Sequence, residues 1–283
     1  SWISRQIKDI ETKLKMNVLE KHYGSFKLTP EGEKLLDSVR KIVYESRIIE
    51  TLIPSNIHEA KGNLRIATTT GHASVWLVKY MKDFLKINPD MRISIIGTDE
   101  SLDLQAREAD VAIRPFVPKS MELVHLYLLS YPLGLYASEE YLAEHGIPKK
   151  PEDLDKHQII TFSKDKKITF GDVDWHLNLG CRPGQTRTPF IQVNSSLGLT
   201  KLAQDGLGIV SLSKYHEVLK GSKLVEILPD IEGPVIDIHY VYPKKLENQK
   251  RITALGEYLV EELEKESKHQ DNIGMRVYSG YQG

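Results

Sequence analysis

The first residues of the chain show the apolar spacing of an amphipathic helix. Over residues 3–14 the apolar positions recur every three or four residues, at Ile3, Ile7, Ile10 and Leu14. This spacing predicts a helix whose other face presents Ser4, Arg5 and Lys8. Two short extended pieces follow within residues 18–29, around a Tyr-Gly-Ser turn, and they predict a small hairpin.

A long helix is predicted over residues 29–53. Thr29 is placed to cap it, Pro30 suits the first helical position, and Glu31 lies at the positive end of the dipole. Its apolar residues form a heptad-like seam at Leu35, Val39, Ile42, Ile49 and Ile53. About 24 residues correspond to roughly 36 Å of helix, which is long for one small domain. The seam favours pairing with a second copy; packing against its own chain is the alternative.

From Asn63 onward the pattern becomes an alternation of strands and helices. Strands are predicted at 64–70, 91–98, 111–116, 123–138 (one or two strands), 157–163, 190–195, 206–213, 224–228 and 236–243. Helices are predicted at 72–89, 101–110, 139–146, 195–206, 214–223 and 251–267, and a hairpin at 167–180. Alternation of this kind implies an α/β fold with a parallel sheet covered on both faces. The last residues, 267–283, lack periodicity and are expected to be disordered.

Composition and charge limit the classes of protein to which the chain can belong. The net charge is −1, but residues 1–28 carry six basic and three acidic side chains, a local excess that suits contact with phosphates. The single cysteine, Cys181, excludes a disulfide within the chain; Arg182 could activate it, but a plain loop thiol is the simpler interpretation. No enzyme motif, metal-ligand cluster, signal peptide or long apolar run is present. The chain starts inside a helical pattern without Met, so its natural beginning is expected to be missing.

Two strand ends carry the candidate binding chemistry. One strand ends in Thr69-Thr70-Gly71 before a helix, and another ends in Asn194-Ser195 before the helix that contains Gly198. In open α/β sheets such edges bind ligands, and helix N-termini favour anions. These hydroxyls could contact a ligand, cap the helices, or do both.

Several spaced motifs near the start resemble the LysR-type family of bacterial transcriptional regulators. They are Ser4-Arg5-Gln6-Ile7 with Ile10-Glu11, then Val18-Leu19-Glu20-Lys21, and then Leu28-Thr29-Pro30-Glu31-Gly32. The resemblance covers nearly the whole chain except the last 17 or so residues. It departs in two ways: the family's first helix and most of its second are absent, and Lys21 replaces the usual arginine. A head without that first helix is expected to be partly unfolded and to bind DNA poorly.

The resemblance implies an α/β, two-lobed, periplasmic-binding-protein-like effector domain preceded by a partial winged helix-turn-helix and a long linker helix. The head would span 1–28, the dimerisation helix 29–53 and a hinge 54–61. The effector domain would span 62–266, with lobe one at 62–133 plus 239–266 and lobe two at 134–238.

The resemblance also implies two sets of site residues. DNA contacts are expected from Ser1, Trp2, Ser4, Arg5, Lys8, Ser25 and Lys27. Arg5 could bind guanine or only a phosphate, and Trp2 could pack on the DNA or fill the core of the head. Effector contacts are expected from Thr69, Thr70, Gly71, Thr98, Arg114, Phe162 and Asn194. Arg114 could hold a carboxylate, or pair with Asp110 or Glu108.

The expected function is therefore regulation of transcription, and not catalysis. The expected partners are promoter DNA, a small organic acid or amino-acid-like effector, and further copies in a homodimer or homotetramer, with RNA polymerase as another candidate. Neither a cofactor, nor a metal, nor a membrane is expected, and the setting would be cytoplasmic and nucleoid-associated. A free-standing solute-binding protein of the same fold is the main alternative, and an enzyme on this fold is a weaker one.

Overall fold

The computed structural model describes most of the chain. The described residues are 2–22, 25–51, 60–99, 109–115, 120–163, 172–214, 219, 221–268 and 276–277. Ser1, most of the predicted hinge at 54–61 and most of the helices predicted at 101–110 and 214–223 lie outside these ranges. Within the described ranges, none of the helices combines the length and apolarity needed to cross a membrane.

The N-terminal elements follow the predicted order of helix, hairpin and long helix. They are α1 (Trp2–Leu14), the antiparallel strands β1 (Leu19–His22) and β2 (Ser25–Leu28), and α2 (Pro30–Thr51). The Glu11 carboxylate accepts hydrogen bonds from the backbone amides of Val18 and Leu19, which fixes the hairpin against α1. Thr29 caps α2 as predicted, because its hydroxyl accepts a hydrogen bond from the amide of Gly32 at 2.9 Å.

In its described residues, the first part of lobe one contains three parallel strands and one helix. β3 (Gly62–Thr68) pairs in parallel with β4 (Met91–Gly97) and β5 (Val111–Arg114). Between β3 and β4 the predicted helix is present as α3 (Val78–Ile87), preceded by a π-helical turn at His72–Trp76. The buried residues of β3 and β5 are mainly aliphatic, because helices and strands cover the sheet.

One long strand joins the two lobes. β6 (Leu123–Ser138) is a single strand of 16 residues. Among the described residues it pairs antiparallel with four later strands: β9 (Val210–Ser213), β10 (Leu224–Ile227), β11 (Val235–Pro243) and β12 (Arg276–Val277). The resulting sheet has eight strands. Six of them follow the order β10-β6-β11-β5-β3-β4, and β9 and β12 pair with β6 beside this path. The sheet is therefore mixed, and not wholly parallel as predicted. β11 pairs with the lobe-one half of β6 from Val235 onward, so the chain returns to lobe one before the predicted residue 239.

Lobe two contains two helices and a small parallel pair of strands. α4 (Glu139–His145) begins at a Ser138 cap and ends at Gly146, as predicted. β7 (Ile160–Phe162) pairs with β8 (Ile191–Val193), and α5 (Ser196–Gln204) follows β8. The prediction of a hairpin at 167–180 is wrong for its described part, where a 3₁₀ turn lies at Trp175–Leu177. The Asp174 carboxylate accepts the amide hydrogen bond of Phe162, so this segment joins β7 through a side chain and not through a ladder.

The last helix closes lobe one. α6 (Lys250–Lys268) packs on the sheet, where the hydroxyl of Tyr240 donates a hydrogen bond to the backbone carbonyl of Ile252 at 2.6 Å. Beyond it, β12 (Arg276–Val277) pairs antiparallel with β6. The prediction of disorder over 267–283 is therefore wrong at these two residues, and also at residues 267–268, which belong to α6. For β12, backbone groups on the open side of β6 are the physical reason, since an unpaired strand edge recruits another strand.

Candidate functional site

A cavity of about 160 Å³ lies between the two lobes. Lobe one contributes Thr69, Gly71, His72, Val75, Trp76, Asp99 and Pro115. Lobe two contributes Ile160, Thr161, Phe162, Val173, Asp174, His176, Ser196, Leu199, Ser211, Leu212 and Ser213, and the crossing strands contribute Leu129, Tyr131, Leu133, Ile236 and Ile238. The volume is similar to that of a cavity able to hold one benzene-sized molecule.

Three of the seven predicted effector residues line this cavity. Thr69 and Gly71 reach it from the end of β3, and Phe162 reaches it from β7. The other four, which are Thr70, Thr98, Arg114 and Asn194, are not among the lining residues. Asn194 is exposed at the end of β8, so the second predicted strand edge contributes Ser196 instead.

The helix N-terminus after β3 already has an anionic partner. The Asp99 carboxylate accepts a hydrogen bond from the amide of Thr70 at 3.0 Å, and the hydroxyl of Thr69 accepts one from the amide of His72 at 3.2 Å. Both side chains therefore satisfy amides that would otherwise face a ligand. The hydroxyl of Ser195 caps α5 in the same way, through the amide of Gly198 at 3.2 Å. The hydroxyls of Thr69 and Ser195 therefore cap helices, and contact of Thr69 with a ligand stays a prediction.

Arg114 supports the loop that carries Asp99. Its buried guanidinium donates a hydrogen bond to the backbone carbonyl of Thr98. Burial lowers the pKa of Arg114, and the nearby Asp99 carboxylate opposes that shift. The predicted pairing with Asp110 is wrong, because Asp110 forms its ion pair with Arg251 at 3.4 Å. Glu108, the other predicted partner, lies outside the described residues.

The π-helical turn brings lobe-one side chains to the cavity that sequence reasoning missed. The amide of Leu77 donates to the carbonyl of His72 at 2.8 Å, five residues back instead of four. The wider turn places His72 and Trp76 together at the cavity wall, with ring centroids 5.4 Å apart. Such insertions are frequent at functional sites. A π-turn leaves no signal in the apolar spacing, so periodicity alone could not have found it.

Two buried polar atoms of lobe two have no hydrogen-bond partner within the described part of the chain. They are Oγ1 of Thr161 and Nδ1 of His176. Both residues line the cavity and both are only 1% exposed. The other ring nitrogen of His176, Nε2, lies 3.2 Å from the carbonyl oxygen of Ile160. Unsatisfied buried polar atoms are rare in proteins, so two of them in residues that line one cavity make it the candidate binding site.

The cavity disfavours the charged forms of the ionisable side chains His176 and Tyr131. Burial lowers the pKa of His176 to about 4, so its imidazole is neutral near pH 7. Burial also raises the pKa of the Tyr131 hydroxyl, which lines the same cavity. Among the described lining residues none is a lysine or an arginine, and the carboxylates are Asp99 and Asp174.

The two lobes touch at the cavity rim. A Cβ atom added to Gly71 would lie 2.4 Å from the hydroxyl oxygen of Ser196, on the opposite lobe. Gly71 has an ordinary helical φ of −64°, so the requirement for glycine here is close approach and not backbone freedom. Any side chain larger than the hydrogen atom of glycine at position 71 would therefore meet Ser196 across the gap between the lobes.

The predicted DNA-binding residues lie on α1 and the hairpin. Arg5 and Lys8, one helical turn apart on α1, are exposed, as is Lys27 on β2. The backbones of Trp2 and Ser4 belong to α1 and that of Ser25 to β2, while Ser1 lies outside the described residues. The three exposed cations are therefore available to a polyanion.

The family model of the LysR substrate binding domain matches residues 58–264. The chain belongs to the LysR family of transcriptional regulators. This match covers both lobes and the cavity between them. The α/β, two-lobed regulatory domain expected from the sequence is thereby confirmed.

Curated relatives of this LysR-type chain are bacterial regulators. It is 26% identical over 267 residues to the transcriptional regulator CrgA of Neisseria meningitidis, covering 93% of this chain and 88% of that protein. It is 25% identical over 259 residues to an uncharacterised HTH-type transcriptional regulator of Haemophilus influenzae, covering 89% and 88%. The names of these relatives describe regulators of transcription, and not enzymes.

Two solved structures of bacterial regulators are similar to this chain in fold. The structure of CrgA from Neisseria meningitidis is 26% identical, with a TM-score of 0.64 and coverage of 92% of this LysR-type chain and 88% of that one. The full-length AphB activator of Vibrio cholerae is 20% identical, with a TM-score of 0.62 and coverage of 92% and 88%, a likeness of fold alone.

Proposed function

We propose that this LysR-type regulator binds promoter DNA through α1 and the β1–β2 hairpin, and that a small molecule between the lobes controls the arrangement of the DNA-binding ends. The observation that carries the proposal is the cavity lined by both lobes and by the strands that cross between them. A ligand held there contacts both lobes at once. Its binding energy therefore depends on their relative position, which is the requirement for a population shift.

DNA binding is supported by charge and by the form of α1. Arg5 and Lys8 are exposed on α1, the helix that the family resemblance places in the major groove, and Lys27 is exposed on β2 of the hairpin. Lysine and arginine contacts to phosphate supply affinity that falls steeply with salt. Bound in this way, the regulator would act in the cytoplasm at the nucleoid, where RNA polymerase is a further candidate partner.

A second copy is the proposed partner of α2. Val39 and Ile42 lie one turn apart on this helix and are 44% and 68% exposed. Apolar residues at helical spacing that stay exposed in the described part of the chain suit a helix pairing with its counterpart. A homodimer, or a homotetramer formed from two dimers, would present paired heads to two related half-sites of the operator.

The alternative of a free-standing solute-binding protein shares the cavity but gives α1, the hairpin and α2 no role. An enzyme is disfavoured by the state of His176. Its Nε2 faces the carbonyl of Ile160, and its pKa of about 4 leaves it a poor general base near neutral pH.

The test is capture of genomic DNA by the full-length protein, followed by anisotropy measurements on the recovered promoter. Lys8→Ala is expected to weaken binding and to reduce the salt slope by about one. Lys34→Ala removes the same charge from an exposed position on α2 and is the matched control. Equal effects of the two substitutions, or no specific capture, would contradict the proposed DNA-binding face.

A further inference from the structure

The two unpartnered atoms in lobe two define which hydrogen-bonding groups a ligand needs. A carbonyl oxygen only accepts hydrogen bonds, so the Nε2 atom of His176, 3.2 Å from the carbonyl of Ile160, carries the ring proton. The low pKa keeps the ring neutral, which leaves Nδ1 as a bare acceptor. Nδ1 therefore requires a donor. The hydroxyl of Thr161 can either donate or accept.

The charged groups around the cavity define which ligands it disfavours. The described lining residues supply carboxylates at Asp99 and Asp174 but no cationic side chain. Of the two helix N-termini that could have held an anion, the one after β3 is occupied by Asp99, which accepts the amide hydrogen bond of Thr70. At α5 the hydroxyl of Ser195 accepts the amide hydrogen bond of Gly198. Arg114 is directed to the backbone of Thr98 and is not among the lining residues. An anionic ligand would lose its hydration and find no compensating positive charge.

Most of the remaining wall is apolar, although hydroxyl-bearing residues such as Tyr131, Ser196 and Ser211 also line it. Trp76 and Val75 from lobe one, and Phe162 and Leu199 from lobe two, face the same space. A ligand with a ring or branched hydrocarbon body gains from burial against these side chains. The cavity volume of about 160 Å³ limits that body to roughly the size of one aromatic ring with small substituents.

We propose that the cavity takes an uncharged, mainly apolar molecule with at least one O–H or N–H group that donates a hydrogen bond to Nδ1 of His176 and pairs with the hydroxyl of Thr161. This inference rests on the proposed function, in which the cavity is the effector site. It differs from the organic acid or amino-acid-like effector that the helix N-termini favoured. The ligand supplies the partners that the empty protein leaves missing, so discrimination arises from the donor group and not from size.

Four probes of similar size separate the chemistries. Phenol carries a neutral donor, toluene carries none, benzoate is an anion and benzylamine is a cation near pH 7. Calorimetry and thermal unfolding with the full-length protein should show phenol binding about tenfold more tightly than each of the others. Equal affinity for phenol and toluene, tighter binding of either ion, or no binding by any probe would overturn the inference.

Variants tie the preference to the two atoms. His176→Gln retains a donor for the carbonyl of Ile160 but removes the Nδ1 acceptor, and Thr161→Val removes the hydroxyl. Each should cut the preference for phenol over toluene several-fold, mainly through weaker binding of phenol. The matched control is Thr68→Val, because Thr68 is equally buried but its hydroxyl donates to the carbonyl of Ile113 away from the cavity. The same loss in this control would sink the assignment.

The outcome is distinguishable from failure of the proposed function. If phenol is preferred through His176 and Thr161 but leaves promoter binding unchanged, the ligand class stands and the effector role fails. If benzoate is preferred and alters promoter binding, the effector role stands and the ligand class proposed above is wrong.

Discussion

Replacing Thr161 with valine should make the empty protein more stable. The hydroxyl of Thr161 is buried and has no hydrogen-bond partner among the described residues, so folding removes it from water without compensation. An unsatisfied buried polar group costs about 1–3 kcal/mol. Valine has nearly the same shape, and its methyl group adds a buried apolar contribution of about 0.8 kcal/mol. The two contributions add, so the expected net gain in unfolding free energy is about 2–4 kcal/mol.

Thr68→Val should change the free energy of unfolding in the opposite direction, at an equally buried threonine. Thr68 is fully buried in β3, and its hydroxyl donates a 2.7 Å hydrogen bond to the carbonyl of Ile113. Loss of that bond costs about 1–3 kcal/mol, partly offset by the added methyl, for a net loss of about 1 kcal/mol.

Urea unfolding of the ligand-free variants measures both values, and an unchanged m-value shows that the midpoint shift reports stability. If Thr161→Val destabilises the protein as Thr68→Val does, then the Thr161 hydroxyl is satisfied in solution. The argument for a ligand-donated hydrogen bond at that position would then be refuted.

Three further predictions follow from the same structure. Gly71→Ala should lower stability by about 1 kcal/mol in thermal unfolding, because the new methyl meets the hydroxyl of Ser196; Ser196→Ala should restore it, and failure of this rescue would exclude the contact. His176 has a folded pKa of about 4 against an ordinary 6.5, so its stabilising contribution is complete above pH 6.5 and decreases as pH falls toward 4. The free energy of unfolding, measured in urea, should decrease by about 2 kcal/mol between pH 7 and 5, and His176→Gln should remove that pH dependence. Arg251→Leu should cost roughly 3 kcal/mol in the same assay because it leaves the buried carboxylate of Asp110 without its ion pair, and a loss below 1 kcal/mol would contradict this role.

The pattern of apolar residues predicts most of the elements but few of the site residues. α1, α2 and β3 follow from periodicity because each buries one face or one run of side chains, a property that the sequence displays directly. Thr69 and Gly71 follow from the rule that ligands bind where parallel strands end. These inferences use information that is local along the chain.

The site residues that the sequence pattern did not predict depend on contacts between segments far apart in the chain. Asp99 caps a helix that begins 29 residues earlier, at Thr70, and nothing near Asp99 in sequence signals that role. Thr161 and His176 are brought to one cavity by a turn that was predicted as a hairpin. Arg114 was assigned to a ligand or to Asp110, yet it holds the backbone of Thr98. Which partner a buried polar group selects is decided by the assembled fold, which one sequence does not reveal.

The long strand β6 has a consequence for how the regulatory domain folds. Its 16 residues belong to the hydrogen-bond ladders of both lobes, and one apolar cluster includes Leu64 and Phe84 of lobe one together with Leu154 and Ile209 of lobe two. Neither lobe can unravel without disrupting the other, so both should melt in one cooperative transition. Amide hydrogen exchange would then show similar protection on β3 and β9, and a ligand in the cavity would slow exchange across the whole domain.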